Sequence, residues 1–235
     1  VLNQEMIAIQ GTDMKQATLE MLSAEKTVPG KIKVSLKNAS GESVKFNQVF
    51  STLKLTAQST NHTDIGPVEA AGDQAEILLG DTAGFSLEAG AAEAISIQGK
   101  LSEAALVGDY SIQVDLVNAT TSESLGNTKV TLHAITVETA LAQYENKLIA
   151  LSDEEISTIE TEYATLDALR QTVKTAILGL KAEDQPALMV RYNAAAQNQY
   201  AAFKMIKQAQ SAGNVLDLEK VTNVGGNLPF SILFR

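Results

Sequence analysis

The chain has 235 residues, of which 45% are hydrophobic, and a formal net charge of −10. This length and composition indicate one large or two small globular domains and exclude a disordered protein. The 18 Lys and Arg residues against 28 Asp and Glu exclude a surface built for nucleic acid or anionic lipid, and the absence of cysteine excludes disulfides and thiolate metal sites.

Short segments of alternating polar and apolar residues, separated by turn residues, fill the first half of the chain. In the clearest one, Ile32, Val34 and Leu36 share one face and lysines occupy most of the other. This alternation predicts strands of a sheet with one wet side. Eight to ten such strands with no helix between them predict an antiparallel β-sandwich over residues 1–135. The predicted strands cover residues 6–10, 18–22, 31–37, 44–46, 53–55, 77–79, 85–87, 94–97, 108–116 and 130–135, and residues 58–64 are predicted as a polar loop.

Three short motifs occur in a fixed order in this half. They are Leu36-Lys37-Asn38-Ala39-Ser40, Phe85-Ser86-Leu87-Glu88-Ala89-Gly90 and Gly108-Asp109-Tyr110-Ser111-Ile112-Gln113-Val114. In this order they resemble the strand ends and turns of bacterial immunoglobulin-like cell-surface modules, over roughly residues 30–135. The resemblance implies an immunoglobulin-like sandwich of secreted and envelope proteins, used for spacing, adhesion or assembly, with no shared active site.

Helical spacing of apolar residues replaces the alternation after Ile135. A stripe through Leu141, Tyr144 and Leu148 predicts a first helix over residues 137–151. A capping box formed by Ser152 and Glu155 then predicts a second helix that continues to about residue 182. The apolar residues of the second helix repeat at coiled-coil spacing, which predicts a packing seam: Ile156, Ile159, Tyr163, Leu166, Val173, Ile177 and Leu180.

Arg170 lies in this seam, so we expect it to extend outward or to pair with a carboxylate on the facing helix. A third helix is predicted from the N-cap residue Asp184 to the glycine cap at Gly213, with Pro186 in its first turn. Short connections predict an antiparallel hairpin of the two long helices, with the first helix as a shorter member. The predicted fold is therefore α+β, with a sandwich at residues 1–135, a helical hairpin at 136–212 and a C-terminal strand segment at 213–235.

The last eight residues, from Leu228 to Arg235, include five large apolar side chains. We expect this segment either to add a strand to the chain's own sandwich or to pair with a strand of another chain. The helical hairpin and this C-terminal strand are therefore the predicted surfaces for a protein partner or for self-association.

No group of residues predicts a catalytic, cofactor or metal site. His62 in the polar loop and His133 on a strand are predicted to be surface residues, because neither has a second ligand at metal-binding spacing. The acidic clusters Asp153-Glu154-Glu155 and Glu183-Asp184 open two predicted helices, where capping explains them.

Two further sets of residues do not require a catalytic or binding site. Asn-x-Ser/Thr triplets at Asn38, Asn61 and Asn118 would accept glycans in a secretory pathway that uses them, and chance explains them nearly as well. The aromatic residues of the helices are predicted to pack mostly on the seams: Tyr144, Tyr163, Tyr192, Tyr200 and Phe203.

The predicted function is that of a non-catalytic extracellular or cell-envelope structural or adhesion protein, whose sandwich carries a helical arm for protein–protein interaction. One alternative is a self-assembling subunit of a surface filament or lattice that uses the C-terminal strand. Another is a carbohydrate- or peptide-binding module, although the β-rich half has only four aromatic candidates for a sugar platform: Phe46, Phe50, Phe85 and Tyr110. An enzyme is not predicted.

The protein is predicted to be extracellular or part of the cell envelope. No segment approaches the roughly 18 consecutive apolar residues of a membrane span. The chain begins at Val1 without an initiator Met, so we expect either that a leader was removed before Val1 or that the sequence is cut from a longer one.

Overall fold

The structure is a computed structural model that describes residues 4–22, 28–59, 62–80, 85–87, 92–151 and 156–212. Strands and helices are both present in these residues, so the predicted α+β class is confirmed. The chain divides into two compact units between Thr136 and Val137. Several features of the sequence prediction lie outside the described residues, among them the C-terminal segment at 213–235, the capping box at Ser152 and Glu155, and the N-x-S/T triplet residue Asn61.

The first unit contains the strands and one short helix. They are β1 (Gln4–Ile9), β2 (Ala17–Leu22), β3 (Val28–Asn38), α1 (Phe46–Val49), β4 (Phe50–Ser59), β5 (His62–Glu69), β6 (Glu76–Leu79), β7 (Phe85–Leu87), β8 (Ala92–Leu101), β9 (Gly108–Asn118) and β10 (Ser124–Ile135).

These strands form two sheets. The first has the order β1-β10-β9-β3-β6, with β7 also paired to β3, and the second has the order β2-β8-β4-β5. Antiparallel sheets were predicted, and every described pairing is antiparallel except that of β1 with β10, which is parallel. Because β1 and β10 lie at opposite ends of the unit's sequence, no hairpin connects them and the direction of β1 is not constrained by a tight turn.

The predicted alternation appears in the burial of the side chains. In β9 the residues Tyr110, Ile112, Val114 and Leu116 are buried and the residues between them are more exposed. Inward side chains of both sheets and of α1 form one core, and each large aliphatic group buried there stabilises the fold by about 1.5–3 kcal/mol. The largest fully buried residues of this core are Phe46, Phe50, Leu19, Ile32, Leu36, Leu53, Leu55, Leu79, Ile95 and Ile97.

Residues 44–46, predicted as a strand, lead instead into α1. One helical turn places Phe46 and Val49 on the same side, and both are fully buried. The backbone N–H of Lys45 donates to Oε1 of Gln48 at 3.2 Å and closes the start of this turn. A helix and a strand bury such a short apolar segment equally well, so periodicity could not separate them.

The predicted polar loop at residues 58–64 belongs to a pair of strands. β4 continues to Ser59, which pairs with His62 at the start of β5. β5 is an edge strand of the second sheet, and most of its described side chains are exposed. An edge strand that contributes little to the core needs no apolar alternation, which is why its sequence resembles a loop.

The second unit contains α2 (Val137–Leu151), α3 (Ile156–Gly179) and α4 (Gln185–Ala212), and each of these helices packs against the other two. α3 ends at Gly179, three residues before the predicted end. The Gln185 side-chain amide donates to the carbonyl oxygens of Leu178 at 3.2 Å and Leu180 at 2.7 Å, so it satisfies carbonyls that the helix leaves free. None of the described helices combines the length and the apolar character that a membrane span needs.

Candidate interaction surfaces

The connection between β8 and β9, residues 102–107, forms a tightly held corner of the β-rich unit. The N–H of Ser102 donates to the carbonyl oxygen of Val49 at 2.9 Å, and the N–H of Ala105 donates back to the carbonyl oxygen of Ser102 at 3.2 Å. Ala105 is buried in the core. The corner is therefore joined to the core before it reaches its outermost residues.

Two side-chain donors hold the outer part of this corner. The hydroxyl of Tyr110, near the start of β9, donates to the carbonyl oxygen of Leu106 at 2.9 Å, and the amide of Gln10 donates to the carbonyl oxygen of Ala105 at 2.6 Å. Burial raises the pKa of the Tyr110 hydroxyl. A tyrosine hydroxyl is already protonated at neutral pH, so it is a donor under those conditions.

The residues held in this way are apolar and exposed. The side chain of Leu106 is 78% exposed and that of Val107 is 56% exposed. The next residue, Gly108, has φ +142°, which side-chain-bearing residues rarely adopt, and it turns the chain into β9. We call Leu106 and Val107 the corner pair. Two adjacent apolar side chains on a firmly held backbone can bury themselves in a partner at little cost in conformational entropy.

Polar and charged side chains contact one another on the outer face of the first sheet. His133 Nδ1 lies 2.8 Å from Asp109 Oδ1, and His133 Nε2 lies 3.8 Å from Glu5 Oε2. Lys33 Nζ lies 2.7 Å from Glu76 Oε2, and the hydrogen bond to Glu76 raises the pKa of Lys33. These pairs are exposed, so each contributes little to stability. A shallow cavity of about 290 Å³ on this face is lined by Gln113, Asp115, Asn127, Thr128 and Lys129.

A shallow groove of about 330 Å³ lies on the second sheet. Gln98 donates to Gln16 at 2.6 Å, and Gln16 donates to Ser96 at 2.7 Å, so the amides near the groove already bind each other. Lys54 is paired with Glu69 at 3.2 Å. The described residues that line the groove include no aromatic side chain: Asp13, Met14, Gln16, Thr52, Lys54, Gln98 and Gly99.

Polar side chains occupy the interior of the helical unit. Tyr144 of α2 donates to Oε1 of Gln199 of α4, and both residues are buried. Burial raises the pKa of the Tyr144 hydroxyl far above its usual range. The Tyr144 ring also packs at 6.4 Å, centroid to centroid, from the Tyr192 ring. Hydrogen bonds of this kind favour one register of the helices over others.

Arg170 joins this interior from α3. Its guanidinium donates to Oδ1 of Asp167 from Nε at 2.9 Å and from Nη2 at 2.7 Å, and from Nη1 to the Tyr192 hydroxyl at 3.3 Å. We predicted that Arg170 would extend outward or meet a carboxylate on the facing helix. The carboxylate instead lies on the same helix, because positions i and i+3 are neighbours on a helix surface, and the facing helix supplies a hydroxyl.

α4 presents a face that points away from α2 and α3. It consists of four exposed residues at helical spacing, Val190, Asn193, Gln197 and Tyr200, which we call the outer face of α4. Val190 is 71% exposed and Tyr200 is 66% exposed. The charged residue within this stretch, Arg191, is directed to Glu145 at 2.7 Å and Glu138 at 3.3 Å on α2, and the hydrogen bond to Glu145 raises the pKa of Arg191.

The structure places the predicted residues as follows. His133 is partly exposed beside Asp109, whereas the side chain of His62 and the cluster at Asp153 lie outside the described residues. Glu183 and Asp184 are exposed just before α4. Among the described residues, no three His, Asp or Glu side chains are grouped so that they could hold a metal ion.

The described asparagines of the N-x-S/T triplets both build turns. Oδ1 of Asn38 accepts the N–H groups of Ser40 at 3.0 Å and Glu42 at 2.9 Å, and Asn38 Nδ2 donates to Glu42. Oδ1 of Asn118 accepts the N–H of Thr120 at 2.8 Å. Turn chemistry therefore explains both residues.

Most aromatic residues are found where the sequence predicts them. Tyr144 and Tyr192 are buried in the helical unit, and the half-buried rings of Tyr163 and Phe203 stack with centroids 4.0 Å apart. The prediction was wrong for Tyr200, which lies on the outer face of α4, because the helix turns this position away from the seam. In the β-rich unit, Phe46, Phe50 and Tyr110 are buried, and the side chain of Phe85 lies outside the described residues.

Sequence reasoning missed the corner pair and the outer face of α4. A signal for the first exists: Leu106 and Val107 are adjacent apolar residues next to the turn residues Gly108 and Asp109, where alternation does not require them. A signal for the second is the scarcity of charge in α4, where Arg191 is the single charged residue from Gln185 to Phe203.

Comparison with known proteins gives no family. No family model matches the chain, and no curated protein matches it. Similar solved structures include a family 123 glycoside hydrolase from Clostridium perfringens, with 11% identity and a TM-score of 0.34 over 61% of this chain and 28% of the hydrolase.

Bacterial adhesin domains are also among these structures. CfaE, the adhesive subunit of the CFA/I fimbria of enterotoxigenic Escherichia coli, has 9% identity and a TM-score of 0.25 over 56% of this chain and 45% of CfaE. The collagen-binding domain of a Staphylococcus aureus adhesin has 10% identity and a TM-score of 0.29 over 52% of this chain and 89% of that domain. With TM-scores below 0.5, these similarities carry no argument about function.

Proposed function

We propose that this chain is a non-catalytic, adhesion-type interaction module of the cell surface or cell envelope. In this proposal the β-rich unit is an immunoglobulin-like sandwich that binds a partner protein through the corner pair, and the helical unit is an arm that makes a further protein contact. The observation that carries the proposal is the presentation of two exposed apolar side chains, Leu106 and Val107, on a backbone held by Tyr110 and Gln10.

The hydrogen bond of Tyr110 supports the immunoglobulin-like assignment. Immunoglobulin-like sandwiches have a tyrosine near the start of one late strand whose hydroxyl bonds to the backbone a few residues upstream. Tyr110 stands near the start of β9 and bonds to Leu106, four residues upstream. The exposure of the corner pair supports a binding role, because apolar side chains that a fold holds in water often mark a protein contact.

A carbohydrate- or peptide-binding module is the alternative that the groove on the second sheet would serve. Its glutamine amides could bind hydroxyl groups or peptide groups. They would first have to give up the hydrogen bonds that Gln16 makes with Gln98 and Ser96, and no described aromatic side chain lines the groove for stacking. These contacts favour the corner pair over the groove as the binding surface.

The proposal is tested by binding measurements on the full chain. Wild-type protein and the double variant Leu106→Asp/Val107→Asp are passed over a panel of immobilised matrix and cell-surface proteins and over a glycan array. Leu78→Asp is the matched control, because Leu78 is 54% exposed on β6, away from the corner. We expect wild type and the control to bind a protein target with the same affinity and the double variant to bind at least about tenfold more weakly.

Two results would contradict the proposal. Equal binding of the corner variant and the wild type would show that the corner pair is not the contact, and binding to glycans alone would favour the alternative. Turnover of a substrate that is abolished by one carboxylate substitution would show that the protein is an enzyme.

A further inference from the structure

We infer that the outer face of α4 binds the same face of a second copy of this chain, with the two helices antiparallel about a two-fold axis at the level of Ala195. This inference rests on the proposed function in one respect, because it names the partner of the helical arm. It does not depend on the corner pair.

The residues of the outer face are self-complementary in this arrangement. With the axis at Ala195, Val190 of one copy lies opposite Tyr200 of the other, and Asn193 lies opposite Gln197. A two-fold interface requires this reciprocity: where Val190 of one copy contacts Tyr200 of the second, Tyr200 of the first contacts Val190 of the second. Val190 and Tyr200 are the large exposed apolar residues of the face, so each pair buries an aliphatic group against an aromatic ring. The two amide residues can hydrogen-bond to each other between the apolar pairs.

The charges at the two ends of α4 have opposite signs. Glu183 and Asp184 are exposed just before the helix, and Lys204 and Lys207 are exposed in its second half. In the antiparallel arrangement Glu183 lies opposite Lys207 of the second copy, and this pairing occurs twice. A parallel arrangement would instead place Glu183 opposite Glu183, so the charge pattern selects the antiparallel orientation.

Small residues allow the two helices to approach each other. Ala187, Ala194 and Ala201 lie beside the outer face, and each of them is exposed or half-buried. Side chains of this size permit interaxial distances near the lower end of the usual 8–10 Å range. Ala residues also lose no side-chain entropy when the interface forms.

The net charge of the chain further restricts where two copies can meet. Each copy carries a formal charge of −10, so two copies repel each other over most of their surface. From Gln185 to Phe203 the charged residue is Arg191, which pairs with Glu138 and Glu145 of its own copy. Association through the outer face of α4 therefore brings together little uncompensated charge.

The first test is the mass of the full-length chain in solution by sedimentation. We expect the wild type to form a dimer, and Val190→Asp and Tyr200→Glu each to raise the dimer dissociation constant about 100-fold or more, because each change places two charges in the apolar contacts. Ile149→Asp on α2 is the matched control, since Ile149 is also exposed, at 45%, but lies on another helix. Circular dichroism of each variant confirms that the helices remain folded.

The second test uses the charge pairs. Glu183→Lys alone and Lys207→Glu alone each place like charges opposite each other in the homodimer, so each variant should dissociate more readily at low ionic strength. Mixing the two variants restores opposite charges at both pairs, and the mixture should form a heterodimer several-fold tighter than either homodimer. A parallel dimer would also gain opposite charges in the mixture, but its single variants would repel no more than its wild type does. Weaker association of each single variant, followed by rescue in the mixture, is therefore the result that identifies the antiparallel arrangement.

A monomeric wild type would overturn the inference, and so would a dimer that Val190→Asp leaves intact. A dimer that is lost on deletion of residues 228–235 but survives Val190→Asp would assign self-association to the C-terminal segment instead. None of these outcomes changes the corner-pair measurement, so failure here and failure of the proposed function are separable.

Discussion

The hydroxyl of Tyr144 on α2 donates a hydrogen bond to Oε1 of Gln199 on α4, and both side chains are at most 4% exposed. The other half of the Gln199 amide, Nε2, is buried and has no hydrogen-bond partner in the described part of the chain. The Tyr144 hydroxyl is therefore the hydrogen-bond partner of this buried amide, and the bond links α2 to α4.

We expect Tyr144→Phe to destabilise the helical unit by about 1–3 kcal/mol, because it leaves the Gln199 amide buried without a partner. The double variant Tyr144→Phe/Gln199→Leu should recover most of that loss, since both polar partners are then replaced by apolar groups. Urea unfolding followed by circular dichroism measures both effects. Gln171→Leu, at an exposed position of α3, is the control and should change the stability little. If the double variant is as unstable as the single one, the amide is not the cause.

The stability of the helical unit should also fall at alkaline pH. Because burial raises the pKa of Tyr144 in the folded state, its contribution is fully present below the unfolded pKa of about 10. Above that pH the unfolded state loses its proton first, so stability decreases as pH rises towards the folded pKa. Urea midpoints from about pH 8 to about pH 11 should show this decrease for the wild type and a smaller one for Tyr144→Phe. Identical pH dependence of the two proteins would assign the effect to other groups.

Tyr110→Phe should loosen the corner without unfolding the β-rich unit. Loss of the hydrogen bond to Leu106 is expected to cost about 0.5–1.5 kcal/mol, measured by urea unfolding. Hydrogen exchange of the amides at Val107 and Gly108 should become faster, because the carbonyl group beside them is no longer held. Amides in the middle of β9, such as Val114, serve as the internal control. Unchanged exchange at the corner would show that Tyr110 does not hold it.

Two glycines with positive φ should respond differently to alanine. Gly66 has φ +113°, and a Cβ there would lie 2.5 Å from the carbonyl oxygen of Leu55, whereas Gly41 has φ +81° and no atom within 4 Å of its Cβ position. We expect Gly41→Ala to cost about 1 kcal/mol from backbone conformation alone. Gly66→Ala should cost about 3 kcal/mol or more, because the backbone of β4 must also move. Thermal unfolding compares the two, and equal costs would contradict the predicted clash.

The strands and helices were largely predictable because their signals are local. Ile32, Val34 and Leu36 alternate with polar residues, and only a strand places all three on one buried face. The bounds of α2 follow in the same way from its apolar stripe. Local reasoning was wrong where a segment was too short or too exposed to show a period, as at α1 around Phe46 and along β5.

The candidate surfaces were not predictable in this way, because exposure depends on what the rest of the fold covers. Tyr110 is buried in the core, but its hydrogen-bond partner Leu106 depends on the path of the corner. Tyr200 carries the same seam-like signal as Tyr192, yet only Tyr192 is buried. Residues eight positions apart differ by about 80° around a helix of 3.6 residues per turn, so one of the two can face the neighbouring helices while the other faces away.

By itself, the sequence determined the α+β class, the change from period two to helical spacing after Ile135, and most of the buried strand residues, because burial on one face of an element follows from its repeat. Only the tertiary structure decided the parallel pairing of β1 with β10, the contact of Arg170 with the Tyr192 hydroxyl and the exposure of Leu106, Val190 and Tyr200. Each of these depends on contacts, or on the lack of contacts, between segments that are distant in the chain. A local sequence pattern carries no information about such contacts.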